Sequence, residues 1–260
     1  MAEFSRSSVL PHLEARRSCQ ENPCYRPHSH DTFSMGLIDA GTSVLTGPLD
    51  GTVRLEPGDV VVIPAGQVHA CNPDQGRWQY QMIHMDQGWA ISLAPEAGRL
   101  LDGISVVRRP DLHRRISDLN DAIFADEPPD RIEAGFASLF RLLDGASPTH
   151  LVTTDANPEL ATRLRPAMDR LRCDEASPSL RELADLVGMS THQLVRAMKR
   201  ATGLAPLAWR QNARIVQARR LLREGAPITD TAQALGFFDQ SHFHRVFRAH
   251  VAASPGAYRG

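Results

Sequence analysis

The stretch "ALGFFDQSHFHRVFR", residues 234–248, decides how the chain is read. Leu235, with Ala232 just before it, faces a core. Gly236 then turns the chain, because the left-handed conformation at a helix end costs glycine least. Phe243 and Phe247, four residues apart, anchor a second helix on one side. The other side presents Gln240, His242, His244, Arg245 and Arg248. A short helix, a glycine turn and a second helix with a polar, basic face make a helix-turn-helix pattern. Thr229 or Asp230 is placed to cap the first of the two helices.

The same pattern occurs upstream in "SLRELADLVGMSTHQLVRAMKRATG", residues 179–203. Ser179 and Glu182 have the spacing of a capping box. Leu180, Leu183, Ala184 and Val187 share an apolar face, and Gly188 ends the helix. Ser190 caps the next helix, which buries Leu194 and Met198 and presents His192, Gln193, Arg196, Lys199 and Arg200. One such unit is a pattern that any helical hairpin can meet. Two units at a fixed offset, with Arg196 and Arg245 49 residues apart, are much harder to dismiss. Between them, "APLAWRQNARIVQARRLLR", residues 205–223, reads as one helix. Its nineteen residues span roughly 28 Å at about 1.5 Å each. Successive major-groove faces of B-DNA lie about 34 Å apart, so this helix can hold two units in adjacent grooves. Arg219 and Arg220 on it read as solvated surface charge.

Charge agrees with that division. The 260 residues carry a net charge of −1, but residues 155–260 hold 16 Lys+Arg against 10 Asp+Glu, a surplus of six positive charges. Residues 1–154 are acidic by seven. Only the second part is suited to a polyanion. The hydrophobic and charged fractions, 42% and 23%, are those of a soluble globular protein long enough for two domains. No apolar run approaches the roughly 20 residues of a membrane span. "MAEFSRSSVLPHLEARR" lacks a signal peptide's apolar stretch. Cys19, Cys24, Cys71 and Cys173 form no CxxC pair, so reduced thiols and a cytoplasmic location are expected.

Residues 1–107 read as β. Short runs such as "FSMGLIDAG", "TVRLEP", "DVVVIPA" and "WQYQMIHM" are separated by turn formers, as in a barrel or sandwich. Residues 108–145 hold two amphipathic helices. Leu112, Ile116, Leu119 and Ile123 mark the first, over 111–126. Ile132, Phe136, Leu139, Phe140 and Leu143 mark the second, over 130–144. The first stripe is narrow enough for an antiparallel dimer contact, and equally suited to packing on the barrel. Residues 146–158 read as a linker, and 159–260 as the helical domain.

Within the β part, "PHSHD" places His28 and His30 two apart, so on a strand they share a face. "EPGDVVVIPAGQVHACN", residues 56–72, adds Gly58, Pro64, Gly66 and His69. His84 would share a strand face with Trp78, Tyr80 and Met82. Asp31 and Asp39 have no obvious partner, and no Ser-His-Asp order stands out.

Residues 179–259 resemble the paired helix-turn-helix domain of the AraC/XylS family of bacterial transcription regulators. "SLRELADLVGMS", "LVRAMKRATGLAP", "ALGFFDQSHFHRVFR" and "SPGAYR" carry the resemblance. It implies base-edge contacts from His192, Val195 and Arg196 in one unit and from Gln240, His244 and Arg245 in the other. Lys199, Arg200 and Arg248 would hold phosphates. Three positions depart from the pattern: Met198 for Phe, Thr231 for a core Ile, and Ala252 for a turning Gly. Ala252 is expected to make the chain turn differently before Ser254-Pro255.

The HxH pair and the turn ending in His69 resemble the cupin barrel, the usual sensor domain of that family. The resemblance implies that His28, His30 and His69 meet inside, in an effector pocket that includes Tyr80 and Met82. Cupin enzymes add a Glu four or five residues after the pair, where this chain has Ser34 and Met35. His84, or less directly Cys71, could supply a fourth ligand. No cofactor is certain. Three imidazoles suit a divalent transition metal (Zn, Fe, Ni or Cu), or they hydrogen-bond one another or an organic ligand.

The expected architecture is a multidomain α and β chain. A cupin-like β-barrel with two following helices precedes an all-α domain with two helix-turn-helix units. Its expected role is a sequence-specific DNA-binding transcription regulator, not an enzyme, controlled by a small-molecule or metal effector. Double-stranded promoter DNA, a second copy of the chain and RNA polymerase are its partners, with no membrane. The alternative is a cupin-type metalloenzyme, a dioxygenase or isomerase with a helical appendage. The missing carboxylate and the complete DNA-binding signature argue against it.

Overall fold

Period-two alternation builds the first half of the chain. The structure, a computed structural model, describes residues 2–21, 25–47, 51–93, 98–152, 157–174 and 176–259, apart from the side chain of Pro158. Cys24 lies outside them. Strands β1 (Ala2–Arg6), β2 (Glu14–Gln20), β3 (Phe33–Thr46), β4 (Thr52–Leu55), β5 (Asp59–Ile63) and β6 (Ala70–Met85) come first. A short helix α1 (Gln87–Leu93), a 3₁₀ turn and β7 (Ile104–Arg108) follow. Pairing is antiparallel in the order β1-β2-β6-β3-β5-β7, with β4 on β3. Residues 1–107 are therefore not wholly β. Helix α1 has one buried side chain, Ala90, and so carries no periodic signal.

Because successive side chains face opposite ways, each strand feeds two cores. Val60, Val62, Met35 and Ile83 pack outward, beneath helices α2 (Pro110–Phe124) and α3 (Pro129–Asp144). Val61, Ile63, Ile38, Trp78 and Tyr80 fill the interior. Both helix faces are consumed by the outer core: Leu112, Ile116, Leu119, Ile123 and their counterparts on α3 are all buried. Four such side chains stabilise by roughly 6 kcal/mol or more. The α2 stripe is thus closed to a dimer contact.

The expected linker is shorter than the sequence suggests. His150–Val152 form an edge strand, β8, on β7. Three residues are too few to show a period. Residues 153–156 of the expected linker lie outside the described residues.

The second half is helical: α4 (Pro158–Cys173), α5 (Leu180–Leu186), α6 (Thr191–Thr202), α7 (Pro206–Arg223), α8 (Ile228–Ala234), α9 (Gln240–Val251) and α10 (Pro255–Arg259). Helices α4, α5 and α6 share one core around Leu164, Leu183 and Met198. Helices α7 to α10 share another around Phe243, Phe247 and Tyr258. Gly188 and Gly236 make the two turns at φ +62° and +66°. Both Ser179 and Ser190 form complete capping boxes, with Glu182 and Gln193. Two expectations fail locally. Helix α8 starts behind Pro227 without a side-chain cap, so Thr229 and Asp230 lie inside its first turn, while Asp239 caps α9. Leu180 is 36% exposed because it opens α5 on the solvent side.

The three departures from the family pattern are absorbed. Met198 is fully buried. Thr231 is buried with its hydroxyl donating to the Pro227 carbonyl at 2.9 Å. Ala252 takes the left-handed conformation itself, at φ +52°, so the chain turns there and not elsewhere.

Candidate effector pocket and DNA-reading helices

The interior of the barrel gathers His28, His30 and His69. The backbones of His28 and His69 pair with N–H···O bonds of 2.9 and 2.8 Å, which fixes the two side chains side by side. One ring nitrogen from each of the three residues lies within 4.8 Å of the others, and all three side chains are buried. His28 Nδ1 bonds the Arg26 carbonyl at 2.7 Å, and His69 Nδ1 the Gln67 carbonyl at 3.0 Å. A carbonyl only accepts, so both Nδ1 atoms carry the proton and Nε2 keeps the lone pair. Burial pushes His28 and His30 well below the usual histidine range, and His69 adds to it. Burial takes His69 to about 4 despite its bond to Gln67. At neutral pH the trio is uncharged and able to donate.

Ser34, one of the two positions at which the cupin resemblance implies a carboxylate, has another task here. Its Oγ lies 3.2 Å from His30 Nδ1 and 2.7 Å from His84 Nδ1. His84 is therefore held behind Ser34, outside the trio, although its ring is 5.0 Å from that of His30. Met35 points to the outer core. Tyr80, Met82 and Cys71 line the same cavity. Burial raises the Cys71 thiol to about 12. Asp39, read as unpartnered, accepts from Gln81 at 3.2 Å and approaches His113 at 3.4 Å. The cavity measures about 60 Å³, the liquid volume of about two waters.

The helical domain closes this cavity. Arg219 of α7 and His250 and Val251 of α9 line it together with the barrel residues. The rings of His28 and His250 are 6.5 Å apart. The Arg26 N–H donates to the Ala249 carbonyl at 2.8 Å, so the loop carrying His28 is tied to α9. Asn212 on α7 accepts from the Ser29 N–H and donates to its hydroxyl, at 3.0 and 2.9 Å. Arg219 is buried at 7% exposure and is no surface charge. It donates to Glu14 at 3.1 Å and to the Tyr258 hydroxyl at 3.2 Å, and Tyr258 donates to Glu14 at 2.8 Å. Arg6 bonds Glu14 and the Tyr258 carbonyl. Burial would raise Glu14, but Arg219, His84, Arg6 and Arg223 bring it down to about 2. Arg16 donates from Nη1 to the Val251 carbonyl at 2.7 Å.

None of Glu14, Arg16, Ser34, Arg219 or His250 was singled out from sequence as a site residue. For Glu14 and Arg16 a signal existed: they sit at alternate positions of β2, with Ala15 on its other face and Leu13 buried just before it. His250 continues the buried spacing of Phe243 and Phe247.

Helices α6 and α9 also present the expected reading residues. His192, Arg196, Lys199 and Arg200 are exposed on α6, and Gln240, Arg245 and Arg248 on α9. Val195 and His244 are half-buried. Among the described residues, none of these five cations enters an ion pair, unlike Arg220, which pairs with Glu224 at 3.1 Å.

A two-unit helix-turn-helix domain closing the pocket of an antiparallel barrel is the build of a DNA-binding transcription regulator with a ligand-binding domain. Residues 10–150 match the family described as AraC-like ligand binding domain, and residues 183–260 match helix-turn-helix domain. The chain belongs to the AraC/XylS family of transcription regulators and is not an enzyme. It is similar to the arabinose operon regulatory protein of Salmonella typhimurium, with 27% identity over 289 residues, covering 100% of this chain and 99% of that one. The uncharacterized HTH-type transcriptional regulator YbfI of Bacillus subtilis is 26% identical, covering 89% and 86%. The solved structure of ToxT from Vibrio cholerae shares the fold, with a TM-score of 0.56 at 13% identity over 95% of this chain and 98% of that one. No helix among the described residues is long and apolar enough to cross a membrane.

Proposed function

We propose that the protein reads promoter or operator DNA in the cytoplasm under the control of an effector held in the barrel pocket. His192, Val195 and Arg196, and Gln240, His244 and Arg245, address base edges in two successive major grooves. Lys199, Arg200 and Arg248 hold phosphates and set the register. Two copies on repeated half-sites would gain avidity, through a surface other than the α2 stripe, and at a promoter the bound regulator meets RNA polymerase. One observation carries the control: the pocket wall is partly the DNA-binding domain itself, through Arg219, His250 and Val251. An occupant that touches both domains has different affinities for the docked and undocked states, which is what an effector requires.

His28, His30 and His69 suit a divalent transition metal as that effector or as part of it. Tethering of Nδ1 by carbonyl oxygens is the outer-shell arrangement that orients a metal-binding histidine. A tetrahedral ion with bonds of about 2.0 Å holds its nitrogens roughly 3.3 Å apart, so the trio closes on an ion by a small inward adjustment. Such an ion would supply a fixed positive charge beside His250.

Anisotropy titrations with fragments of the promoters beside the gene test the DNA-binding role. Affinity is expected to fall steeply with salt. Arg196→Ala and Arg245→Ala should each weaken specific binding by about 1–3 kcal/mol. Unchanged specific binding in both variants would refute the base-reading assignment. Equal metal content in the wild type and in a His28→Ala/His69→Ala variant would refute the metal site.

A further inference from the structure

The pocket contains a buried cation with one end free. Arg16 is 4% exposed. Its Nε donates to the Ser18 hydroxyl at 2.6 Å and its Nη1 to the Val251 carbonyl at 2.7 Å. Its Nη2 is buried and has no hydrogen-bond partner among the described residues. The guanidinium lies over three rings that hold it in place, at 5.0 Å from Phe4, 5.4 Å from Tyr80 and 5.8 Å from Tyr25. Phe4, Arg16, Tyr25 and Tyr80 all line the cavity.

Charge in this region does not balance. Arg16 and Arg219 are both buried, and Glu14, already engaged by Arg219, Arg6 and Tyr258, is the one buried carboxylate lining their contacts among the described residues. Arg16 makes no ion pair among the described residues. Its counter-charge is the negative end of the α9 dipole, reached through Val251. A buried guanidinium with an unpaired N–H pair is costly unless something completes it. A carboxylate does so by accepting a charge-assisted hydrogen bond from Nη2. Farther in, the wall is apolar, made by Ile38, Leu55, Val61 and Ile63.

We propose that the pocket receives a small organic acid, whose carboxylate docks on Nη2 of Arg16 and whose apolar body lies against Ile38, Val61 and Ile63. This rests on the barrel being the effector site and specifies the chemical class of the effector. The cavity size selects a short acid. Arg16 is also the residue that grips the last carbonyl of α9, so an acid on Nη2 shares a guanidinium with the reading helix of the second unit. Inorganic phosphate satisfies the charge but not the apolar wall, and its binding is weaker.

Thermal melts of the full-length protein with acetate, propionate and butyrate, each beside its neutral amide at matched ionic strength and beside inorganic phosphate, test this. At least one acid is expected to raise Tm by about 5 °C at a hundredfold excess over its Kd, with its amide and phosphate giving less than a third of that. Arg16→Met should abolish the difference between acid and amide, and Arg16→Lys, which keeps the charge but not the Nη2 donor, should retain part of it. If Arg16→Met does not fold, the wild-type comparison and Arg16→Lys decide the matter. Equal shifts for acid and amide, a larger shift with phosphate, no shift with any acid, or an acid shift undiminished in the folded variants would overturn the proposal. Promoter binding measured on the same wild-type sample separates the two levels. Specific DNA binding without an acid response overturns the acid proposal alone, whereas absence of specific DNA binding counts against the regulator role.

Discussion

Glu14→Gln breaks the charge knot that docks the two domains. In the wild type, Glu14 accepts from Arg219 at 3.1 Å, from Arg6 at 3.1 Å and from Tyr258 at 2.8 Å, and both Glu14 and Arg219 are over nine-tenths buried. The glutamine keeps the shape and can still accept from Tyr258, but it leaves Arg219 as a buried cation without its counter-charge. Removing one partner of a buried pair costs about 3–5 kcal/mol. For a protein of this size each kcal/mol moves Tm by roughly 2–4 °C, so the docked unit should melt about 6–20 °C earlier in a calorimetric scan. Arg219→Met alone strands Glu14 and should cost a similar amount. The double variant, with neither charge, should recover most of the loss, giving a coupling of at least about 2 kcal/mol in the cycle. A single variant that costs under about 1 kcal/mol, or a double variant as unstable as the two singles summed, would refute the claim that the pair holds the domains together.

Three further outcomes follow from particular residues. Ala252→Gly should raise stability by up to about 1 kcal/mol, because a left-handed L-residue costs roughly 1–2 kcal/mol and the added chain entropy of glycine offsets part of the gain; a lower denaturation midpoint would contradict this. Ser34→Ala removes the hydroxyl that bonds His30 and His84 and should weaken metal binding at the trio about 10–100-fold, measured by competition with a chelating dye, whereas unchanged affinity would deny Ser34 an orienting role. Stability should fall in two stages as pH drops. Buried histidines bind protons more readily when unfolded, so their contribution is present above about 6.5 and is lost toward the value of about 4 at His69. Glu14 is depressed from 4.5 to about 2, so its contribution, on the order of 3 kcal/mol, is present above 4.5 and lost as pH falls toward 2. In Glu14→Gln the lower stage should vanish from a urea-denaturation series, and its persistence would reassign that stage.

What the sequence disclosed depended on whether the cause was local. Glycine turns at Gly188 and Gly236, capping boxes at Ser179 and Ser190, and the apolar pair Phe243–Phe247 are set within a few residues, and all appear as read. The histidine trio was legible through the resemblance to the cupin barrel, not through a strand: His28 makes only an isolated bridge with His69, and His30 lies between β2 and β3. Long-range causes stayed hidden. Arg219 looked like a surface cation on a basic helix, since its partner Glu14 lies 205 residues away. The α2 stripe could not announce whether a barrel or a second copy covers it. Ala252 was expected to displace a turn that the structure keeps, because packing of α9 and α10 on Tyr258 outweighs about 1 kcal/mol of backbone strain.

The central claim is that the barrel pocket and the DNA-reading helices form one linked system, and linkage is reciprocal. The most direct measurement is therefore a pair of affinities: operator DNA with and without saturating Zn(II), and Zn(II) with and without saturating operator. The two ratios must be equal, and the account predicts a factor of about five or more that disappears in the His28→Ala/His69→Ala variant. Zn(II) bound at His28, His30 and His69 with operator affinity unchanged would contradict it.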